Sequence, residues 1–155
     1  SIDPTQLEKL KDVAFNREQF KTRLPGDRLY TASHYWLKPD EGAWRIGLTK
    51  FATRMLGEMV EYDFEVKTGE AIATGQIVGW LEGFKATSDL YSVMDGAFLS
   101  SNPDLEEKIG LVHADPYRRG WLYRAEGAPE PESADVNGYA AILNQTIDRI
   151  LEQEM

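Results

Sequence analysis

Between Arg28 and Arg124 the sequence breaks into short β-prone runs separated by Gly, Pro and Asp turns. Strands that short cannot each bury enough surface alone, so they must be stacked into a small sandwich or barrel. The cleanest run is Val60 to Val66. Val60, Tyr62, Phe64 and Val66 point to one face, and Glu61, Asp63 and Glu65 to the other. That alternation is a half-buried strand with a solvated acidic side. Lys38-Pro39-Asp40-Glu41-Gly42 is a hairpin turn in which Pro39 fixes φ and Gly42 supplies φ > 0. Arg28–Leu37 and Ala43–Leu48 are its arms. Thr49 caps a short helix through Leu56, closed by Gly57. Further strands are expected around Ala71–Ala73, Gln76–Glu82, Ser88–Met94, Ala97–Leu99 and Gly120–Arg124, with a helical turn starting at Asn102-Pro103-Asp104.

The flanks differ from this centre. Asp3-Pro4 is an N-cap followed by proline at the first helical position, and Leu7, Leu10, Val13, Ala14 and Phe20 follow at roughly helical spacing. The spacing predicts a helix over 4–21, within an N-terminal extension of residues 1–27. The β body is expected over 28–126. Gly127 to Ser133 reads as an extended acidic linker. After it, Tyr139, Ile142, Leu143, Ile147, Ile150 and Leu151 form one helical stripe, so residues 127–155 are expected to be a linker and a helix docked on the body.

Composition removes several classes of function. Lys plus Arg is 17 and Asp plus Glu is 26, for a formal charge of −9. Such a field repels phosphate backbones and anionic lipid, so neither nucleic-acid nor membrane partners are expected. No apolar stretch approaches the roughly 18 residues of a membrane span. There is no cysteine, which excludes disulfides, zinc thiolates and cysteine nucleophiles. His34 and His113 are the only histidines, so no multi-histidine metal site is expected. Nor is there a base-activated nucleophile, so no catalytic residue of its own is assigned. The opening Ser1-Ile2-Asp3-Pro4 has no basic flank or apolar core of a leader; the cytoplasm is the expected compartment, and a monomer the expected state.

The segment that carries chemistry runs from Gly79 to Ser92. Trp80-Leu81 and Leu90-Tyr91 are strand-like, and Gly83 to Thr87 form the tip between them. Lys85 on that tip projects into water, within reach of a modifying enzyme, and Glu82 and Asp89 mark the site electrostatically. By itself a lysine on a turn is ordinarily only a solvating group.

The wider pattern is more specific. Glu82-Gly83-Phe84-Lys85-Ala86-Thr87-Ser88-Asp89-Leu90-Tyr91-Ser92 resembles the lipoate attachment site of the glycine cleavage system H-protein family, Glu-Ser-x-Lys-Ala-x-Ser-Asp-x-x-Ser. The resemblance extends from about Leu29 to Tyr123, through Ser33-His34-Tyr35-Trp36, Ile46-Gly47-Leu48-Thr49, Leu56-Gly57, Gly69-Glu70, Asp95-Gly96, Asn102-Pro103, Asp115-Pro116-Tyr117 and Gly120-Trp121-Leu122. It implies a mainly β, lipoyl-domain-like flattened barrel-sandwich with terminal helices. It also implies that lipoate is joined covalently to Lys85, that Glu82 guides the lipoate-attaching enzyme, and that Asp89 lies near the arm. Biotin carriers share the fold type, but Phe84 and Ala86 stand where their flanking methionines usually stand.

The departures are informative. The family typically reads His-Glu-Trp where this chain has His34-Tyr35-Trp36, and that glutamate lines the cleft receiving a cationic aminomethyl cargo. Tyr35 supplies no charge at neutral pH. Gly83 replaces the usual serine, Arg118-Arg119 follows Tyr117 where the family is commonly acidic or neutral, and the ending from Asp135 onward is unusual. In these respects the chain looks like the H-protein-like lipoate-binding proteins of bacterial sulfur oxidation. They are thought to present sulfur intermediates to a heterodisulfide-reductase-like complex. That resemblance implies anionic sulfur cargo, with His34, Tyr35, Arg118 and Arg119 as candidates for the arm cleft. The alternatives are the glycine cleavage H protein itself, working with the P, T and L proteins, and a non-lipoylated interaction protein of the same fold. For His34, packing among aromatics is the plainer role; for Arg118 and Arg119, solvation is.

Overall fold

The computed structural model describes residues 3–154; Ser1, Ile2 and Met155, at the ends of the two flanking segments, lie outside the described residues. The chain is mainly β. Its first elements are α1 (Pro4–Leu7), β1 (Val13–Arg17), β2 (Phe20–Leu24), β3 (Leu29–Tyr30), β4 (Tyr35–Asp40), β5 (Ala43–Leu48) and α2 (Lys50–Leu56). There follow β6 (Met59–Phe64), β7 (Ala71–Ile72), β8 (Ile77–Gly83), β9 (Thr87–Tyr91), β10 (Met94–Ser101), α3 (Leu111–Ala114), β11 (Tyr123–Pro129) and α4 (Val136–Gln153), with a 3₁₀ turn at Pro103–Glu106. A six-stranded sheet in the order β3-β4-β5-β11-β10-β7 faces a three-stranded sheet β6-β8-β9. The named pairings are all antiparallel. This is the lipoyl-domain-like sandwich that the sequence resemblance implies.

The main core lies between the two sheets. Leu37, Ile46, Val78, Leu81, Leu90, Phe98 and Tyr123 meet there, all buried. The cap and turn chemistry holds where it was read from sequence. Thr49 Oγ1 accepts from Ala52 N at the start of α2, and Asn102 caps the 3₁₀ turn by accepting from Asp104 N. Glu41 and Gly42 both take positive φ in the β4–β5 turn.

Three expectations fail. The helix over 4–21 is one turn long, and residues 13–24 form the antiparallel hairpin β1–β2. Phe15 and Leu24 from this hairpin join Phe51 of α2 and Tyr139, Leu143 and Ile147 of α4 in a second core. Periodicity alone read the run as a helix; the β-branched and aromatic residues Val13, Phe15 and Phe20 instead fill a sheet surface that tertiary neighbours cover. The acidic linker is also not free. Gly127 to Pro129 continue β11 against Met94–Gly96, Glu130 N donates to Val93 O, and Ala134 bridges Tyr30. Finally, Val60 is exposed, because the β6–β8 register shifts between Met59 and Glu61 and rotates its side chain outward.

Helix α4 docks on the body as its stripe predicts. Val136, Tyr139, Leu143 and Ile147 are buried. Tyr139 stacks on Tyr30 with ring centroids 4.6 Å apart, and Arg17 of β1 pairs with Asp148 and donates to Asn144 O. The N-terminal hairpin and the C-terminal helix therefore support each other across the chain.

Candidate functional site

Lys85 stands on the β8–β9 hairpin tip, and the tip is fastened by backbone bonds rather than left free. Gly83 N donates to Ala86 O at 2.9 Å, closing the turn. Phe84 N donates to Glu58 O and Lys85 N to Leu56 O, each at 2.9 Å. The end of α2 and the connection from it to β6 thus hold the lysine's own backbone. Gly57 makes this approach possible. It adopts φ 82, and an added Cβ would lie 3.0 Å from Lys85 Cγ. The sequence identified Gly57 only as a helix stop; its contact with Lys85, far along the chain, left no local signal.

The lysine is exposed, and its Nζ lies 3.4 Å from Arg54 O. A groove of about 390 Å³ surrounds it, lined by Lys50, Thr53, Arg54, Gly57, Glu58 and His113. On the other side of α2 is a smaller, chiefly apolar cleft of about 200 Å³. His34, Tyr35, Met55, Leu56, Leu90 and Tyr91 line it. Leu56 and its neighbours on α2 form the divide between the two, so an arm attached at Lys85 has a groove on one side and an apolar cleft on the other. A further depression of about 790 Å³ lies between Tyr62, Phe98 and Ile109 and does not include Lys85.

Among the described residues the cleft's lining contains no carboxylate. Tyr35 is buried, and its hydroxyl accepts from Tyr91 N at 3.0 Å. Burial pushes its phenol up to about 12, with the Asp89 charge adding to the effect. It is neutral at physiological pH. Asp89 itself is exposed on β9, while its neighbours Ser88 and Leu90 line the cleft. Glu82 sits at the end of β8, half-buried, opposite Thr87.

His34 occupies the turn before β4 at φ 72, a left-handed conformation that histidine tolerates better than most residues. Tyr139 Oη donates to Thr49 Oγ1 at 2.8 Å, so the 2.8 Å contact between His34 Nδ1 and Tyr139 Oη is a donation from the imidazole. This chain ties the cleft, the cap of α2 and helix α4 together, and its partners are too far apart in sequence to be read from it. Burial lowers the His34 pKa to about 4, from 6.5. The folded protein keeps the ring neutral while the unfolded chain takes up a proton from about pH 6.5 downward. Stability from this group is therefore complete above 6.5 and is lost as pH falls toward 4. The variant His34→Asn keeps a donor and tolerates the left-handed backbone. Its thermal midpoint is expected to fall less than the wild type's between pH 7 and pH 4.5, measured by circular dichroism.

Arg118 and Arg119 are exposed and line neither of the two depressions beside Lys85. They belong to a separate groove with Trp36 and Trp121. The structure thus brings His34 and Tyr35 together with the hairpin and sets the arginine pair apart. Among the described residues there is no group of three or more metal-binding side chains, and no helix is long and apolar enough to cross a membrane.

A two-sheet sandwich that anchors an exposed lysine on a hairpin tip, between a groove and an apolar cleft, is a carrier scaffold of the lipoyl-domain type. Relatives extend this. The family model described as Glycine cleavage H-protein matches residues 28–144. The chain is 36% identical over 129 residues to the glycine cleavage system H protein of Listeria monocytogenes serotype 4b, covering 83% of this chain and 98% of that protein. It is 36% identical over 128 residues to that of Alteromonas mediterranea, covering 80% and 98%. Its structure is similar to a crystal structure of a glycine cleavage system H protein from Mycobacterium marinum, with TM-score 0.69 and 31% identity, covering 76% of this chain and 97% of that one. The chain belongs to the glycine cleavage H-protein family.

Proposed function

We propose that the protein is a cytoplasmic carrier whose Lys85 Nζ is acylated by lipoate, and that it shuttles an aminomethyl group among the P, T and L proteins of glycine cleavage. The observation that carries this is the exposed, backbone-anchored Lys85 at the family's attachment position. The names of the relatives favour this cargo over the sulfur cargo that the sequence departures suggested. The residues fit the group: Lys85 is reachable by an attaching enzyme, and an apolar cleft lies within the same corner of the fold.

Lipoate, once bound, supplies the dithiol chemistry that a chain without cysteine lacks. The protein's own residues do the presenting. Amide formation at Nζ removes one positive charge, moving the formal net from −9 to −10. The bonds from Phe84 N to Glu58 O and from Lys85 N to Leu56 O fix where the tether begins. Glu82 marks the hairpin for the attaching enzyme. Leu56, Leu90 and Tyr91 offer the cleft's apolar wall, which shelters an alkyl chain from water.

One observation favours the second reading, a carrier of sulfur intermediates for a heterodisulfide-reductase-like complex. Among the described residues the cleft's lining offers a neutral Tyr35 and no carboxylate, so a cationic amine finds no counter-charge there. The arginine pair no longer supports that reading through the cleft, because it lies elsewhere. Loading decides between the two. Lipoylated protein is incubated with glycine and glycine decarboxylase, and the aminomethylated form is followed by intact mass. Acceptance at a rate near that of the Listeria relative is expected; lipoylation without acceptance would transfer the assignment to sulfur cargo.

A further inference from the structure

The Arg118-Arg119 groove gathers four cationic side chains on a protein of formal net charge −9. It has a volume of about 470 Å³ and is lined by Lys38, Arg45, Arg118, Arg119, Trp121 and Asp104, among others. The cations come from three separate places: β4, β5 and the loop before β11. Lys38 pairs with Asp27 at 3.5 Å and Arg45 with Asp40 at 3.3 Å. Among the described residues neither Arg118 nor Arg119 makes an ion pair. The Arg45 guanidinium lies over the Trp121 ring, 4.7 Å from its centroid, and its buried Nε has no acceptor.

We propose that this groove docks an acidic segment of a partner protein. Two unpaired guanidinium groups in a field of net charge −9 are a local inversion of the protein's sign, so they select carboxylates over the protein's own surface. Cations spread over three chain segments match several carboxylates in a row better than one small anion. The indole of Trp121 adds an apolar platform for the segment's aliphatic carbons. A nucleic acid brings phosphates along its whole length and meets the repulsion of the remaining acidic surface. The groove also connects to the lysine's support. Tyr117, which lines it, accepts a hydrogen bond from Lys50 N at the start of α2. The inference goes beyond the carrier reading, because it does not require Lys85 to be acylated.

The test uses the unmodified full chain, titrated with a short peptide of alternating Asp and Glu and followed by amide and indole nitrogen–proton correlation spectra. Shifts are expected at Trp121 and residues 117–121, weakening as salt rises toward about 0.15 M. The double variant Arg118→Glu/Arg119→Glu should keep its spectral dispersion, since neither side chain supports the core, and should bind about tenfold more weakly or worse. The proposal is overturned if the shifts fall elsewhere or the double variant binds equally well. It is also overturned if inorganic phosphate alone reproduces the same shifts at the same concentration, which makes the groove a small-anion site. Lipoylation of wild type and double variant, run in parallel, keeps this outcome separate from the fate of Lys85.

Discussion

Replacing Lys85 with arginine is expected to abolish lipoylation completely, while the protein folds as before. Arginine keeps the positive charge and the long aliphatic stem, so solvation of the tip is preserved. A guanidinium stays protonated in proteins and does not take an acyl group as an amine does. The backbone bonds that hold the tip, Lys85 N to Leu56 O and Phe84 N to Glu58 O, are indifferent to the side chain. Intact mass after incubation with lipoate-attaching enzymes reads the result: one lipoyl increment on wild type, none on Lys85→Arg. An increment on the variant would place the attachment at another lysine, and no increment on wild type with any ligase or transferase would leave the fold without its carrier role. Glu82→Gln is expected to be modified more slowly than wild type, not blocked, because it alters recognition and leaves the amine in place.

The largest loss of stability is expected from Trp36→Ala, about 3–5 kcal/mol, set against the roughly 5–15 kcal/mol that holds a typical domain folded. Trp36 is fully buried on β4. Its Nε1 donates to both Leu48 O and Pro116 O at 3.0 Å, joining β5 to the loop before β11. The Arg28 guanidinium lies 4.6 Å from its ring centroid. Gly47 opposite leaves room for the ring; a Cβ there would come within 2.5 Å of it. Removing the indole opens a cavity and strands two buried carbonyls, costs that add. Urea unfolding measures the loss. Trp36→Phe, which keeps most of the volume, is expected to lose less. Equal losses would mean that the hydrogen bonds, not the packing, dominate.

These two residues mark how differently parts of the protein are legible. Lys85 is legible in the sequence because the pattern that singles it out, Glu82 to Ser92, is a run of consecutive residues on one hairpin. The caps at Thr49 and Asn102 and the β4–β5 turn were visible for the same reason. The helix over 4–21 was misread because helical spacing and a hairpin's alternation overlap in a short run, and the contacts that decide between them lie on α2 and α4. The arginine pair was assigned to the arm cleft on charge alone, and charge carries no direction.

The amino-acid order by itself determined the strand-rich body, its turns, the resemblance to the family and the lysine on the hairpin tip that matches its attachment pattern, because each is written in neighbouring residues. Only the tertiary structure decided that Leu56 of α2 and Glu58 just after it clasp the hairpin, that Tyr139 reaches back to His34 and Thr49, and that Arg118 and Arg119 line a groove away from Lys85. Those hydrogen bonds join residues 26 to 105 positions apart, and which distant groups meet depends on how two sheets and a helix bury their apolar faces together.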